Sequence, residues 1–139
     1  MTTLVENLPS GGVVGGRVRR FRTVVTLASQ AEGTYPAVRI PPGHTFAYGI
    51  LTSSVSLGSS TVAIGIAGTT GKYRAAAVHT ATTPTFFGTA AAAGGNPTSG
   101  KVGSSPKGTG TDEDVILTVA AAALPSSGTL VVDLYFSAV

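Results

Sequence analysis

Residues 112–139 read DEDVILTVAAAALPSSGTLVVDLYFSAV and hold two alternating apolar runs separated by a break. Val115, Leu117 and Val119 alternate with Ile116 and Thr118. Leu130, Val132, Leu134 and Phe136 alternate with Val131, Asp133 and Tyr135. A period of two places each set on one face of an extended chain, which predicts two strands with one buried face each. Pro125 prevents the alanine run from continuing as a helix, because proline has no N–H to donate and its ring clashes with the preceding turn. Little chemistry is attached to these strands. The chain has no Cys, no Trp, two His and six acidic residues, and Thr, Ser, Gly and Ala fill the space between apolar runs. This is the composition of a β-sandwich that builds something rather than one that turns over a substrate.

The same alternation recurs upstream. Phe21, Thr23, Val25 and Leu27 share one face of a strand, and Arg20, Arg22, Val24 and Thr26 the other. After the turn SQAEGTYP, a short strand from Ala37 to Ile40 is stopped by Pro41-Pro42-Gly43. Phe46, Tyr48 and Ile50 then alternate with Ala47, Gly49 and Leu51. Val62, Ile64 and Ile66, expected in the core, alternate with the small residues Ala63, Gly65 and Ala67, whose face would admit close approach of another sheet or subunit. Further strands are expected over Tyr73–Val78, near Thr85–Phe87, and briefly at Lys101–Gly103. Seven or eight strands at this spacing favour a two-sheet antiparallel sandwich. The Ala runs at 90–93 and 120–123 are too short, and too closely flanked by Gly or Pro, to make helices.

Two segments fall outside this pattern. Residues 1–16 form an N-terminal arm in which Pro9, Gly11, Gly12, Gly15 and Gly16 deny regular structure, while Leu4, Val5, Leu8, Val13 and Val14 remain apolar. It is either a segment that orders against a partner or a disordered tail. Residues 17–139 form the single domain, within which 88–111 (GTAAAAGGNPTSGKVGSSPKGTGT) is a long loop without period.

With 139 residues, one domain can hold a core without cross-links, and the absence of Cys excludes disulfides and thiolate metal sites. Charged residues make up 11% of the chain, against the roughly 25% usual in globular proteins. A hydroxyl-rich, weakly charged surface suits a subunit packed against neighbours. The net charge of +3 stems largely from one cluster, Arg17, Arg19, Arg20 and Arg22. The aromatic interleaving of a base-stacking platform is missing, so nucleic acid is not the expected partner. An acidic protein surface suits the cluster better, and a solvated strand face is the plain alternative. No signal peptide is evident at the N-terminus. The longest near-apolar run, Val115–Leu124, is about half the ~20 residues of a membrane helix, so no membrane partner is expected.

The candidate catalytic and metal motifs fail on spacing. GTTGKY at 68–73 resembles the end of a phosphate-binding loop, but Ile66 stands where the first Gly belongs and Tyr73 where Ser or Thr belongs, so a hairpin turn is expected. Asp112, Glu113 and Asp114 could offer oxygens to Ca²⁺, yet neighbours on an extended chain point to opposite faces. They are read as a strand entrance. His44, expected at the surface after its tight turn, and His79 have no nucleophile elbow nearby. Glu32 and Asp133 are isolated carboxylates, with Asp133 facing away from the core, and make no glycosidase pair. No catalytic residue, cofactor site or metal site is predicted.

The segments RIPPGHTFAYGIL (39–51), SSVSLGSSTVAIGIAGTTGKYRAAAV (53–78) and the closing DEDVILTV…GTLVVDLYFSA together resemble small virion structural proteins of tailed bacteriophages. The resemblance spans roughly residues 38–137 without the long loop, which is longer and richer in Gly and Ala than the pattern. It implies a jelly-roll sandwich that decorates or cements the capsid, often as a homotrimer, or forms the base of a head fibre or spike. The implied partners are the major capsid protein and other copies of the chain. The implied location is the capsid surface of the virion, after synthesis in the host cytoplasm. Contact with the capsid is expected from Leu4, Val5, Leu8, Val13 and Val14 of the arm and from Arg17, Arg19, Arg20 and Arg22. The alternative is a head-fibre or tail-fibre base that binds a receptor or glycan.

Overall fold

A computed structural model of the protein describes residues 17–88, 101–102 and 112–138. The arm and most of the loop 88–111 therefore lie outside the described residues. Within these bounds the chain forms strands and turns, without helix. In chain order the strands are β1 (Arg17–Thr26), β2 (Gly33–Ile40), β3 (His44–Ser53), β4 (Thr61–Ile66), β5 (Thr69–Val78), β6 (Thr85–Phe87), β7 (Lys101–Val102), β8 (Glu113–Ala120) and β9 (Thr129–Ala138).

They assemble into two antiparallel sheets. One has the order β1-β9-β3-β6, with β7 also paired to β3, and the other has the order β2-β8-β4-β5. Successive strands change sheet at almost every connection, and β4–β5 is the one hairpin within a sheet among the described strands. This crossing order is the double Greek key of a jelly roll. The strands expected from the sequence are all present, including β7. The β2 strand is longer than expected, because Gly33–Pro36 pair with Thr118-containing β8 instead of turning. Pro36 is tolerated because β2 is an edge strand, and the register shifts between Pro36 and Val38 where the missing N–H interrupts the ladder.

The core lies between the sheets. The inner faces of β8 (Val115, Leu117, Val119) and β9 (Leu130, Val132, Leu134, Phe136) are almost fully buried. Both strands are central, flanked on each side, so their alternation is clean. Leu27, Ile40, Leu51, Val62, Ile64 and Phe87 complete the layer. Each such side chain contributes roughly 1.5–3 kcal/mol through removal from water. An aromatic cluster closes one region of the core: Phe136 sits edge-on to Phe21, Phe46 and Tyr73 at 5.4–5.6 Å.

Two features depart from strict alternation. In β3 the register against β9 shifts between Phe46 and Tyr48. Ala47 is the extra residue, so Phe46 turns into the core while Tyr48 turns out, although their spacing had placed them together. In β4 both faces are covered by the chain itself. A Cβ on Gly65 would stand 2.4 Å from the Thr69 carbonyl oxygen, so the small residue accommodates β5 of the same chain and not a neighbouring subunit.

Loops at one end of the sandwich are tied to each other. Leu27 N–H donates to Gly128 C=O, Ser29 N–H to Pro125 C=O and Leu124 N–H to Gln30 C=O, each at 2.9 Å. Leu124 is buried beneath this junction.

Candidate interaction surface

Both histidines, Glu113, Asp114 and Asp133 are engaged in the fold. His44 is buried at 6% exposure, contrary to the surface position expected of it. The turn before it folds its ring inward, where Nδ1 donates to the Pro41 carbonyl at 2.9 Å and the ring meets Phe21 edge-on at 5.7 Å. His79 is likewise buried, at 4%. Burial first, and the positive charge of Arg74 second, push its pKa below the usual histidine value. The Nε2 atom of each ring has no hydrogen-bond partner among the described residues. Neither ring meets a carboxylate or a hydroxyl among the described residues, so no relay of nucleophile, base and acid is assembled.

The acidic run divides as its spacing requires. Glu113 faces inward, pairs with Lys72 at 2.5 Å and accepts a hydrogen bond from the Tyr73 hydroxyl. Burial, then the bond to Glu113, raises the Tyr73 pKa. Asp114 faces solvent and forms a two-point pair with Arg39 at 2.6 and 3.1 Å. Arg39 belongs to the same chain. The carboxylates do not converge, and among the described residues no cluster of His, Asp and Glu could hold a metal. The phosphate-loop look-alike is the β4–β5 hairpin, with Ile66 paired to Thr69 across Ala67-Gly68.

Most of the exposed large apolar side chains among the described residues lie on the outer face of the β1-β9-β3-β6 sheet. Cross-strand pairing arranges its side chains in rows. Arg20 lies beside Tyr135, which lies beside Tyr48. Arg22 lies beside Asp133, then Ile50, then Phe86. Val24 lies beside Val131, then Thr52. The Tyr48 and Tyr135 rings stack at 4.6 Å and Phe86 tilts against Tyr48 at 5.8 Å. Three of the most exposed large apolar side chains belong to this face: Phe86 at 66%, Val18 at 61% and Val24 at 58%. A band of exposed aromatic and aliphatic side chains on one sheet face marks a contact surface more than scattered single residues do.

The arginine cluster borders this band. Arg22 binds Asp133 in a two-point pair at 2.7 and 3.0 Å, which holds the guanidinium pKa above its usual value. Asp133 does face away from the core, as expected, yet it is only 5% exposed because β9 is central and Arg22 covers it. Arg20 shares the outer face with Arg22, whereas Arg19 has the parity of Phe21 and emerges on the other side of β1. Both are exposed and without an acidic partner among the described residues. Arg17 opens β1 opposite Ala138. The expected contact residues Leu4, Val5, Leu8, Val13 and Val14 lie outside the described residues. The aromatic row was not legible in the sequence, since Tyr48, Phe86 and Tyr135 are brought together only by strand pairing.

No protein-family model matches the sequence, and no curated protein is detectably similar to it. Its fold is similar to solved structures. A chain of the cyanophage Pam1 capsid asymmetric unit superposes with a TM-score of 0.67 at 17% identity, covering 100% of this chain and 97% of that one. A chain from the capsid of Ralstonia phage GP4 superposes with a TM-score of 0.62 at 19% identity, covering 100% and 91%.

Proposed function

We propose that this chain is a non-enzymatic virion structural protein of a tailed phage, and specifically a decoration or cement protein on the capsid surface. The observation that carries this reading is the end-to-end likeness of fold to chains from two phage capsids. The commitment of both histidines and of the Glu113 cluster to internal packing agrees with it. The work done would be mechanical. Homotrimers would sit over junctions between major capsid subunits, and each contact made would render the next effectively intramolecular. The arm (Leu4, Val5, Leu8, Val13 and Val14) would order on the shell, and Arg17, Arg19, Arg20 and Arg22 would meet acidic capsid patches.

The test is co-sedimentation of the purified protein with heads of its phage that lack it, together with the heat resistance of those heads. Saturable binding that raises the temperature of DNA release is expected. A variant lacking residues 1–16 should stay folded and lose binding. Absence of the protein from purified virions would overturn the reading.

A second reading, a fibre base that binds a receptor or glycan, is favoured by the stacked row Tyr48, Tyr135 and Phe86, since aromatic faces suit sugar rings. A glycan array separates the two. Selective binding that Tyr48→Ala abolishes would favour the fibre role.

A further inference from the structure

Edge strands expose unpaired backbone groups, and proteins usually blunt them with bulges, proline or brevity. Three edges of this sandwich are blunted in those ways. β2 carries Pro36 and a register shift. β5 is shifted twice against β4. β6 has three residues. The fourth edge, β1, is different. It pairs with β9 through ten consecutive residues without a shift, contains neither Pro nor Gly, and has no strand on its other side among those described. Alternate N–H and C=O groups along it therefore point away from β9 and have no strand partner among the described residues.

Beside this edge, residues of β1 and β2, which belong to different sheets, line a cavity of about 320 Å³. Its lining is mainly apolar, from Val25, Tyr35, Ala37, Leu117 and Leu124, with Thr23, Thr26 and Gln30 adding polar groups. An unpaired ladder next to an apolar cavity is the arrangement used for strand addition: the main chain of the guest binds the ladder and alternate side chains fill the cavity.

We propose that the free edge of β1 accepts an extended, acidic segment of the shell protein as an added strand. The identity of that partner rests on the decoration reading above. Charge selects the guest. Arg19 and Arg20 emerge on opposite faces of β1 and lack acidic partners among the described residues, so a guest with carboxylates on both faces is attracted. A second copy's β1 would bring arginines against arginines. The chain's own arm has one acid, Glu6, and is interrupted by Pro9 and four glycines.

The test uses the full chain and two blocked ten-residue peptides. One alternates Glu-Glu with Val-Val, so that each face of the extended peptide carries carboxylates, and the other has the same charges with proline at alternate apolar positions, so that it cannot add as a strand. The alternating peptide should bind at least tenfold more tightly and slow hydrogen exchange along residues 17–26 but not along β2 or β5. Arg19→Glu/Arg20→Glu should lose that binding while melting like the wild type. Equal binding of both peptides, protection on β3 and β6 instead, or no binding would overturn the proposal. The same exchange measurement on capsid-bound protein separates the two ideas. Binding with β1 unprotected refutes strand addition and leaves decoration standing. No capsid binding refutes decoration, and the peptides then decide the edge.

Discussion

His79 shows how a single residue sets a condition on the fold. Its ring is buried and Arg74 lies near, so the folded state holds the proton less well than the ordinary value of 6.5. The unfolded chain binds that proton once pH falls below 6.5, and the folded chain does not until its own lower pKa is reached. Stability is therefore fully present above pH 6.5 and lost as pH falls through this window, by up to about 1.4 kcal/mol per pH unit. Melting temperature measured from pH 7.5 to 5 should fall for the wild type and fall less steeply for His79→Gln. Parallel slopes would refute the assignment. Gly49 is a second such position. A Cβ there would stand 2.1 Å from the Phe87 ring, which lies across the strand in the core. Gly49→Ala should cost about 1–3 kcal/mol by overpacking, measured by urea unfolding, and Phe87→Leu in the same chain should recover part of it.

Among the elements, β3 carries the feature that arranges the outer face. The extra residue Ala47 separates Phe46, opposite Phe136, from Tyr48, opposite Tyr135. Deleting Ala47 would leave Phe46 facing inward and Tyr48 outward on a regular strand, so the deletion variant should fold with a melting temperature within a few degrees of the wild type. Deleting Ile50 instead should unfold the protein, because absorbing the loss in the bulge would turn Tyr48 inward to the place of Gly49, where even a Cβ would meet the Phe87 ring. Circular dichroism melts of the two variants check this, and similar losses in both would mean that the bulge itself is required. The inner faces of β1, β8 and β9 were legible because nothing interrupts their alternation. The face assignment of Tyr48 was not, because a bulge leaves no mark in a sequence of apolar and small residues.

At the scale of the whole molecule, the outer face of the β1-β9-β3-β6 sheet carries Val18, Val24 and Phe86 exposed among the described residues, and the proposed homotrimer would use such surface to assemble. Absolute mass by light scattering after size exclusion should give about three times 13.8 kDa. A stable monomer would refute self-assembly in solution and move weight to the glycan-binding role. Phe86→Ser, at an exposed position, should leave folding nearly unchanged.

The chain by itself determined the class of the fold and ruled out cysteine chemistry. Period-two alternation is a local property, so strand identity and inner faces follow from neighbours in sequence. Missing cysteines and badly spaced motifs are visible without coordinates. Only the tertiary structure decided that His44 and His79 are internal, that Arg22 covers Asp133, that Tyr48, Phe86 and Tyr135 form one row, and that β1 is the unblunted edge. Each of these depends on which strands become neighbours, and in a jelly roll those neighbours are distant in sequence: Arg22 and Asp133 are separated by 111 positions. Strand order, set by closing two sheets over one core, places them together.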